Sequence, residues 1–186
     1  QMAKTVTAAN KLREEGAPFI VVLANPSTGQ AYASFANLAD IILAEPGSLI
    51  GLAPLRAMKE ASDRPLPLDA HTAEAHLSHG LLDNVVDRDG LHDRLSTLLQ
   101  ILTSQSRYNE DYKDLLKNEI ETTREVDAWE SVTISRHAER PLAMAYIRSM
   151  LDSFIELRGD RLSSDDRSIV GGVGFLYGEP IVIIGQ

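Results

Sequence analysis

The sequence predicts an α/β fold from two observations: a strand-loop-helix-strand stretch near its start and two strands joined by a tight turn at its end. In the first stretch, two apolar runs, Phe19 to Leu23 and Ile41 to Leu43, have the length of strands. Between them lie a loop with Pro26 and Gly29 and a short helix of small residues, Ala31 to Leu38. Apolar runs bounded by proline and glycine are typical of strands covered on both faces, and their alternation with helices indicates an α/β architecture.

The composition excludes several classes of function. The chain has 186 residues, 44% of them hydrophobic, and can therefore form one domain or two small ones. A formal charge of -9 argues against a nucleic-acid surface, and no segment reaches the roughly 18 apolar residues of a membrane span. Neither nucleic acid nor membrane is therefore an expected partner. The absence of cysteine excludes disulfides, thiolate zinc sites and a cysteine nucleophile within the chain, and suits a reducing compartment.

The first predicted element is an amphipathic helix that ends at Gly16. Its apolar face carries Met2, Val6, Ala9 and Leu12. The sequence begins without a starting methionine and stops inside an apolar strand. We therefore expect a piece of a larger protein.

Short elements are predicted after the central stretch, followed by a long helix. They are a strand at Leu49 to Leu52, a helix from about Pro54 to Ala61, a helix capped by Asp69 or Thr72 and stopped by Gly80, and a strand at Leu82 to Val86. The long helix has Asp89 at the position of an N-cap and leucines at helical spacing. These leucines are Leu91, Leu95, Leu98, Leu99 and Leu102.

A polar stretch at residues 103–109 marks a predicted domain boundary, and a charged helix is predicted at residues 110–125. A second unit then begins with a helix that has Pro141 in its first turn and ends at Gly159. Its predicted buried face consists of Leu142, Ala145, Tyr146, Met150, Phe154 and Leu157. A hairpin follows, with strands at Ile169 to Leu176 and Ile181 to Ile184.

The loop from Pro26 to Gly29 has the form of an anion or oxyanion site. The first turn of a helix leaves unpaired N–H donors and the positive end of a dipole. The same spacing is also that of an ordinary strand-turn-helix crossover. Spacing alone leaves both interpretations open.

Two sets of motifs make the sequence specific. The first half contains QMAKT, PSTGQAYASFANLADIILAEPGSLIG and HLSHGLLDNVV, and the second contains RHAERPLAMAYIRSMLDSFIELRGDRLSSDDRSIVGGVGFLYGEPIVIIGQ. The first set resembles the C-terminal half of the β subunit of bacterial acetyl-CoA carboxylase carboxyltransferase, and the second resembles the N-terminal part of the α subunit. On this resemblance, residues 1–103 are β-type, residues 104–128 form a junction, and residues 129–186 are α-type.

The resemblance implies a crotonase-like (ClpP/crotonase) fold, a ββα superhelix, present as parts of two such domains. It also implies a cytoplasmic enzyme of fatty-acid synthesis that transfers the carboxyl group from carboxybiotin to acetyl-CoA, giving malonyl-CoA. The implied partners are the biotin carboxyl carrier protein, biotin carboxylase and other carboxyltransferase subunits or copies. No metal site is expected within this chain.

The resemblance also implies site residues. In the β subunit, two adjacent glycines normally precede the small-residue helix; here they correspond to Gly29 and Gln30. We expect the N–H groups of these two residues to act catalytically, by stabilising an enolate oxygen. Their neighbours would shape the substrate pocket; they are Pro26, Ser27, Thr28 and Ala31. Leu52-Ala53-Pro54 also stands where a Phe-Ala-Gly-like turn is usual, so the pocket departs from the family pattern at two places.

The chain is expected to hold only part of each pocket. The other β-type glycine pair would lie before the Gln-Met-Ala-Lys stretch, and the α-type glycines that face biotin would lie beyond residue 186. The isolated chain is therefore expected to be incomplete as an enzyme. Two alternatives remain: a carboxyltransferase for another acyl-CoA such as propionyl-CoA, and a non-catalytic assembly portion of such a complex.

Four further clusters have a structural interpretation beside a functional one. Gly171-Gly172 indicates a bulge or a packing accommodation rather than a ligand contact. The GDRLSSDD run, with Asp160, Arg161, Asp165 and Asp166, indicates a capped, ion-paired turn rather than a metal loop. His76 and His79 share a helical face near His71, where a solvated face is favoured over a metal site. Arg136, His137 and Arg140 indicate surface charge, with a CoA phosphate as the alternative.

Overall fold

The computed structural model describes residues 2–53, 55–63, 65–105, 127–162 and 164–186. The predicted charged helix at 110–125 lies outside these residues. Among the helices of the described ranges, none is long and apolar enough to cross a membrane.

The first part of the chain repeats a strand-strand-helix unit. The first repeat consists of β1 (Ile20–Leu23), β2 (Ser27–Thr28) and α2 (Gln30–Ala33), and the second of β3 (Ile41–Ala44), β4 (Ile50–Gly51) and α3 (Leu55–Ala61). Equivalent strands pair in parallel, β1 with β3 and β2 with β4, so each repeat contributes one strand to each of two sheets. A 3-10 turn, Ala36–Leu38, connects α2 to β3. The α/β prediction is confirmed.

Two helices flank these repeats as the sequence predicts. Helix α1 (Met2–Glu14) half-buries the predicted face and is stopped by Gly16, whose φ is 73°. Helix α4 (Ala73–Ser78) has Thr72 as its N-cap, because the Thr72 hydroxyl accepts a hydrogen bond from the Ala75 N–H at 3.2 Å. Of the two caps proposed from sequence, Thr72 is the correct one.

A third parallel strand and the long helix complete the first part. Strand β5 (Asn84–Val85) pairs with β3 and is shorter than predicted. Helix α5 (Arg88–Thr103) begins two positions earlier than expected, with Asp87 as N-cap and Asp89 within its first turn. The N-cap prediction for Asp89 is therefore wrong, since either aspartate satisfies the sequence pattern and the backbone leaves the extended conformation only after Asp87.

The second part is an antiparallel sheet preceded by two helices. The elements are α6 (Ala128–Ser135), α7 (Ala143–Met150), β6 (Ser153–Glu156), β7 (Val170–Leu176) and β8 (Glu179–Gly185). The predicted hairpin is confirmed: β7 pairs with β8 and the two-residue turn is Tyr177-Gly178, with φ of 52° and 78°. Positive φ at both central positions is the geometry that suits the twist of paired strands.

The predicted helix from Pro141 to Gly159 is wrong beyond Met150. Phe154 pairs with Gly174 in the β6–β7 ladder, and the Leu157 N–H donates to the Gly171 carbonyl at 2.9 Å. The buried residue of α7 is Ile147, whereas Leu142 is 80% exposed. Tyr146 and Met150 are also exposed. Apolar residues of a helix and of the strand that follows it happen to continue one helical spacing, and periodicity alone cannot separate them.

The sheet of β1, β3 and β5 is covered on both faces, as predicted for these strands. On one face, Ile42 and Ala44 pack with Ala36, Ile50 and Leu82. On the other face, Ile41 and Leu43 pack with side chains of α5, β6 and β7; these are Leu98, Ile101, Ile155 and Val173. Helix α5 and the antiparallel sheet therefore share one core with the first part. The division at residues 104–128 stays a prediction.

Candidate functional site

The loop between β1 and α2 is held against β4. The Ser27 N–H donates to the Leu49 carbonyl at 2.8 Å, and the Gly29 N–H donates to the Gly51 carbonyl at 2.9 Å. The Ser27 hydroxyl also donates to the Ala24 carbonyl at 2.6 Å. Gly29 has φ 76° and ψ -145°, a conformation that a residue with a Cβ rarely adopts. The loop therefore has a fixed shape that depends on glycine at position 29.

The two predicted oxyanion donors differ in this structure. The Gly29 N–H already has the Gly51 carbonyl as its acceptor, whereas the Gln30 N–H, at the exposed first turn of α2, has no acceptor among the described residues. The Gly29 carbonyl is likewise engaged, since it accepts the Ala33 N–H at 3.0 Å. A ligand would therefore meet the Gln30 N–H as the open donor.

The predicted pocket residues surround this donor because they are adjacent in sequence. Pro26 is exposed, and Ser27, Thr28 and Ala31 are half-buried. Leu52, just after β4, is 66% exposed. Their role in lining a substrate pocket stays a prediction, as does the expectation that this chain holds only part of that pocket.

A cluster of three rings lies beside α2 and β4, and its members are not adjacent in the sequence. The Tyr32 ring contacts the His76 ring edge-on with centroids 5.7 Å apart, and His76 contacts His71 at 6.3 Å. His71 has a φ of 71°, and its ring fills the space beside Gly51 where a Cβ would stand. Because the Ile50 N–H donates to the His71 carbonyl at 2.7 Å, His71 also holds β4 in place.

Burial sets the ionisation of this cluster. Burial lowers the pKa of His76, opposed by its hydrogen bond to the Thr72 carbonyl at 3.0 Å. Burial also raises the pKa of Tyr32, and the nearby Arg161 guanidinium opposes that shift. His76 is half-buried against Tyr32, so the solvated-face interpretation is wrong for His76, while His79 is exposed. Within the described ranges, no group of three or more His, Cys, Asp or Glu residues is arranged to hold a metal ion.

The GDRLSSDD run forms a turn in which aspartates cap the backbone, as the sequence predicts. The Asp160 carboxylate accepts the Leu162 N–H at 2.8 Å and the Ser164 N–H at 3.1 Å. Asp165 accepts the Gly159 N–H at 3.1 Å and forms an ion pair with Arg158. Two N–H groups hold the Asp160 carboxylate, which is a local structural role.

Arg161 in this turn reaches the first part of the chain. Its guanidinium donates to the Ala39 and Asp40 carbonyls, each at 2.8 Å, and contacts the Asp83 carboxylate. Burial raises the pKa of Asp83. Two interactions oppose this shift: the hydrogen bond that the Asp83 carboxylate accepts from the Ile42 N–H at 2.7 Å, and the charge of Arg161. The sequence pattern predicts a capped turn around Arg161 but carries no sign of partners 78 to 122 positions away.

The glycine pair and the basic cluster have the structural roles that the sequence favours. Gly172 lies in a regular ladder, and a Cβ there would collide with the Ile155 carbonyl and the Phe154 ring, so it is a packing accommodation. Arg136, His137 and Arg140 are exposed. The Arg140 guanidinium donates to the Ser135 carbonyl at 3.1 Å, which fits surface charge next to the end of α6.

The sequence model of the family described as "acetyl co-enzyme A carboxylase carboxyltransferase-like" matches residues 90–186, which is more than half of the chain. The chain belongs to this carboxyltransferase family. The resemblance stated from the motifs is therefore confirmed.

Relatives of this carboxyltransferase chain match both of its parts. The fused acetyl-coenzyme A carboxylase carboxyl transferase subunits beta/alpha of Clostridium tetani are 41% identical over 187 residues, covering 100% of this chain and 32% of that protein. The carboxyl transferase subunit beta of Rhizobium leguminosarum bv. trifolii is 45% identical over 105 residues, covering 56% of this chain and 35% of the subunit. The chain thus spans about a third of the length of these relatives.

A solved structure shows that the carboxyltransferase fold is shared. Transcarboxylase 12S, solved with hydrolysed methylmalonyl-coenzyme A bound and described as a hexamer, superposes with a TM-score of 0.66. The match covers 100% of this chain and 35% of that chain at 20% identity. The fold is therefore the crotonase-like fold of the carboxyltransferases, in which the ββα repeats described above recur.

Proposed function

We propose that this chain is part of an acetyl-CoA carboxyltransferase, which moves the carboxyl group of carboxybiotin to acetyl-CoA and gives malonyl-CoA. The observation that carries the proposal is the 41% identity, over the whole chain, with a fused carboxyl transferase of that name. The geometry of the loop at Gly29 and Gln30 supports it, because an open backbone donor at the start of a helix suits a developing oxyanion.

The site residues have different roles in this proposal. Gln30 supplies its N–H to the enolate oxygen of the acyl-CoA thioester. Gly29 supplies the backbone conformation that places this donor, because its own N–H is bound to Gly51. Pro26, Ser27, Thr28 and Ala31 line the acyl-CoA pocket.

Carboxybiotin would supply the carboxyl group, carried on a biotin carboxyl carrier protein that biotin carboxylase loads. Other carboxyltransferase subunits or copies would complete the two pockets. A cytoplasmic location belongs to the same proposal, since fatty-acid synthesis of this type and a cysteine-free chain both suit a reducing compartment. The residues of this chain would hold the thioester and exclude water around it.

The decisive experiment uses the full-length protein that contains this chain, with carboxybiotin and a series of acyl-CoAs. Acetyl-CoA is expected to be the best substrate. A preference for propionyl-CoA or a longer acyl-CoA would show that the enzyme carboxylates that acyl-CoA instead. Gly29→Val is expected to lower carboxyl transfer about 10²-fold, because a β-branched residue forces the loop out of its positive φ and moves the Gln30 N–H.

Gly178→Val is the matched control, since Gly178 has a φ of 78°, open space around it and a position in the distant hairpin turn. Unchanged malonyl-CoA formation in Gly29→Val would exclude this loop as the site.

A non-catalytic assembly role is the second candidate. The Gly29 N–H is bound to Gly51, which is the observation that favours it. Titration with acetyl-CoA separates the two candidates. If the full-length protein assembles with its partner subunits but does not bind acetyl-CoA, the assembly role is correct.

A further inference from the structure

We propose that Arg161, in the α-type part of the chain, is a positioning residue for the acyl-CoA loop in the β-type part. The inference rests on the proposed function, and it adds a residue that neither the motifs nor the relatives' names assign. It follows from the contacts of the Arg161 guanidinium. This group binds the end of the segment from Gln30 to Asp40 and also the buried Asp83 carboxylate.

The segment from Gln30 to Asp40 is held together internally. The Ser34 hydroxyl donates to the Gln30 carbonyl at 2.5 Å, and the Asn37 amide donates to the Tyr32 carbonyl at 2.7 Å. Ala36 and Ala39 are buried in the first core. A displacement at Ala39 or Asp40 would therefore be transmitted to the first turn of α2.

The two ends of this segment are fixed by different parts of the chain. At its start, Gly29 is bound to Gly51 in β4. At its end, Arg161 binds the Ala39 and Asp40 carbonyls, which belong to the exit of the 3-10 turn. The Tyr32 hydroxyl lies within the electrostatic influence of the same guanidinium. Arg161 thus holds the end of the segment, while β4 holds its start.

Asp83 gives Arg161 its fixed place. The Asp83 carboxylate accepts the Ile42 N–H in β3 and pairs with Arg161. The side chain of Asp83 is 10% exposed and that of Arg161 is 27% exposed, so solvent screens the pair only weakly. Removing Arg161 would leave the buried Asp83 carboxylate without its cationic partner and would take one donor from each of the Ala39 and Asp40 carbonyls, which is costly at a partly buried site.

The turn that carries Arg161 is itself docked on the first part. The Arg161 N–H donates to the Gly80 carbonyl at 2.8 Å, and the Arg158 N–H donates to the Asp83 carbonyl at 3.1 Å. Arg161 has a φ of 60°, which the capping by Asp160 stabilises. The guanidinium binds three acceptors with its two terminal nitrogens. A lysine ammonium, which is a single point charge, lacks this planar fork of donors.

The test uses steady-state kinetics of the full-length enzyme with acetyl-CoA. Arg161→Met is expected to lower kcat roughly 10- to 100-fold with a much smaller change in KM, because a displaced donor is felt most in the transition state. Arg161→Lys, which keeps the charge but not the planar fork, is expected to recover only part of this loss.

Arg88→Gln is the matched control. Arg88 also forms a bidentate contact with a carboxylate, Glu45, at 2.6 and 3.0 Å, but it touches neither the Gln30 segment nor the turn of Arg161. Its kinetic constants are expected to stay within about twofold of the parent enzyme, since the Arg88 side chain is 78% exposed and water can replace it at the Glu45 carboxylate. Equal losses in Arg88→Gln and Arg161→Met would overturn the inference.

Hydrogen exchange measured by mass spectrometry gives a readout that does not need activity. In Arg161→Met, peptides spanning residues 30–40 are expected to exchange faster while peptides from α5 stay protected, and Arg88→Gln should leave residues 30–40 unchanged. Unchanged exchange and an unchanged kcat in folded Arg161→Met would refute the role. If the parent enzyme carboxylates no acyl-CoA, the proposed function fails, while the exchange result still decides whether Arg161 positions the segment.

Discussion

Gln30 is the residue at which the chain departs from its expected motif and at which its open backbone donor stands. A side chain at this position does not remove the N–H, since α2 begins at Gln30 and the donor belongs to the first turn. The glycine that the loop requires is Gly29, whose φ is 76°. A glutamine where the motif implies glycine therefore changes the shape around the donor and not its presence.

Replacing Gln30 by proline or by alanine distinguishes the contribution of its N–H to catalysis from that of its side chain. Proline is tolerated at the first position of a helix, where its missing N–H would be unpaired in any case. Gln30→Pro is expected to lower the kcat of the full-length enzyme by about 10²- to 10³-fold, the cost of one oxyanion donor. Gln30→Ala, which keeps the N–H, should retain kcat within about fivefold.

Circular dichroism would verify that both variants fold. Similar kcat values for Gln30→Pro and Gln30→Ala would show that the Gln30 N–H does not stabilise the transition state.

At this scale the sequence predicted a candidate site but not its bonding. The Gly29-Gln30 motif located the loop, because a glycine after a buried strand and before a helix is a local signal. The acceptor of the Gly29 N–H is Gly51, and the partners of Arg161 are Ala39, Asp40 and Asp83. Such pairs depend on how the repeats stack, and a single sequence carries no local sign of them.

Among the elements, two loops cross so closely that glycine is required on both sides. Gly80 follows α4 and Gly159 follows β6, with φ of 69° and 76°. A Cβ on Gly159 would collide with backbone atoms of Gly80, and a Cβ on Gly80 would collide with the Ser164 carbonyl of the same turn as Arg161. This crossing brings the turn of Arg161 next to Asp83.

Gly159→Ala is expected to destabilise the protein by more than the roughly 1–2 kcal/mol that positive φ alone costs a residue with a Cβ. Gly178→Ala has the same sign of φ in open space and isolates that conformational cost. Chemical denaturation of the two variants measures the difference. Equal losses of unfolding free energy would mean that the loops separate without penalty.

Helices and strands were predicted correctly where the apolar residues of one element kept a single spacing. The prediction failed where the helical spacing of one element continued by chance into the next strand. The strands around Leu23 and Leu43 and the final hairpin were found, because apolar runs and turn residues mark them locally. The helix predicted through Phe154 ended at Met150, since β6 is stabilised by its ladder with β7 and not by its own sequence pattern. Tertiary pairing decided the outcome there.

On the scale of the whole molecule, α5 lies between the parallel sheet and the antiparallel sheet. Leu98 is fully buried and packs in the core that includes Leu43, Ile155 and Val173. The α/β class and the ββα repeats followed from sequence and resemblance. The shared core did not, because it joins residues on both sides of a stretch that the sequence marked as a boundary.

Leu98→Ala is expected to cost about 2–5 kcal/mol of unfolding free energy and to destabilise both sheets together. Leu99→Ala, one position along the same helix and 46% exposed, should cost well under half as much. Denaturation followed by far-ultraviolet circular dichroism and by hydrogen exchange in β3 and β7 measures both effects. If β7 kept its full protection in Leu98→Ala, the two parts would have independent cores.

The loop crossing has a consequence for how such a protein is assembled. Gly80 and Gly159 meet within one polypeptide, so the local concentration of each loop around the other is set by the intervening chain and not by the amount of protein in solution. The ordering entropy of this contact is then lost once, during folding. On two separate polypeptides the same contact would also cost translational and rotational freedom, and its occupancy would fall on dilution.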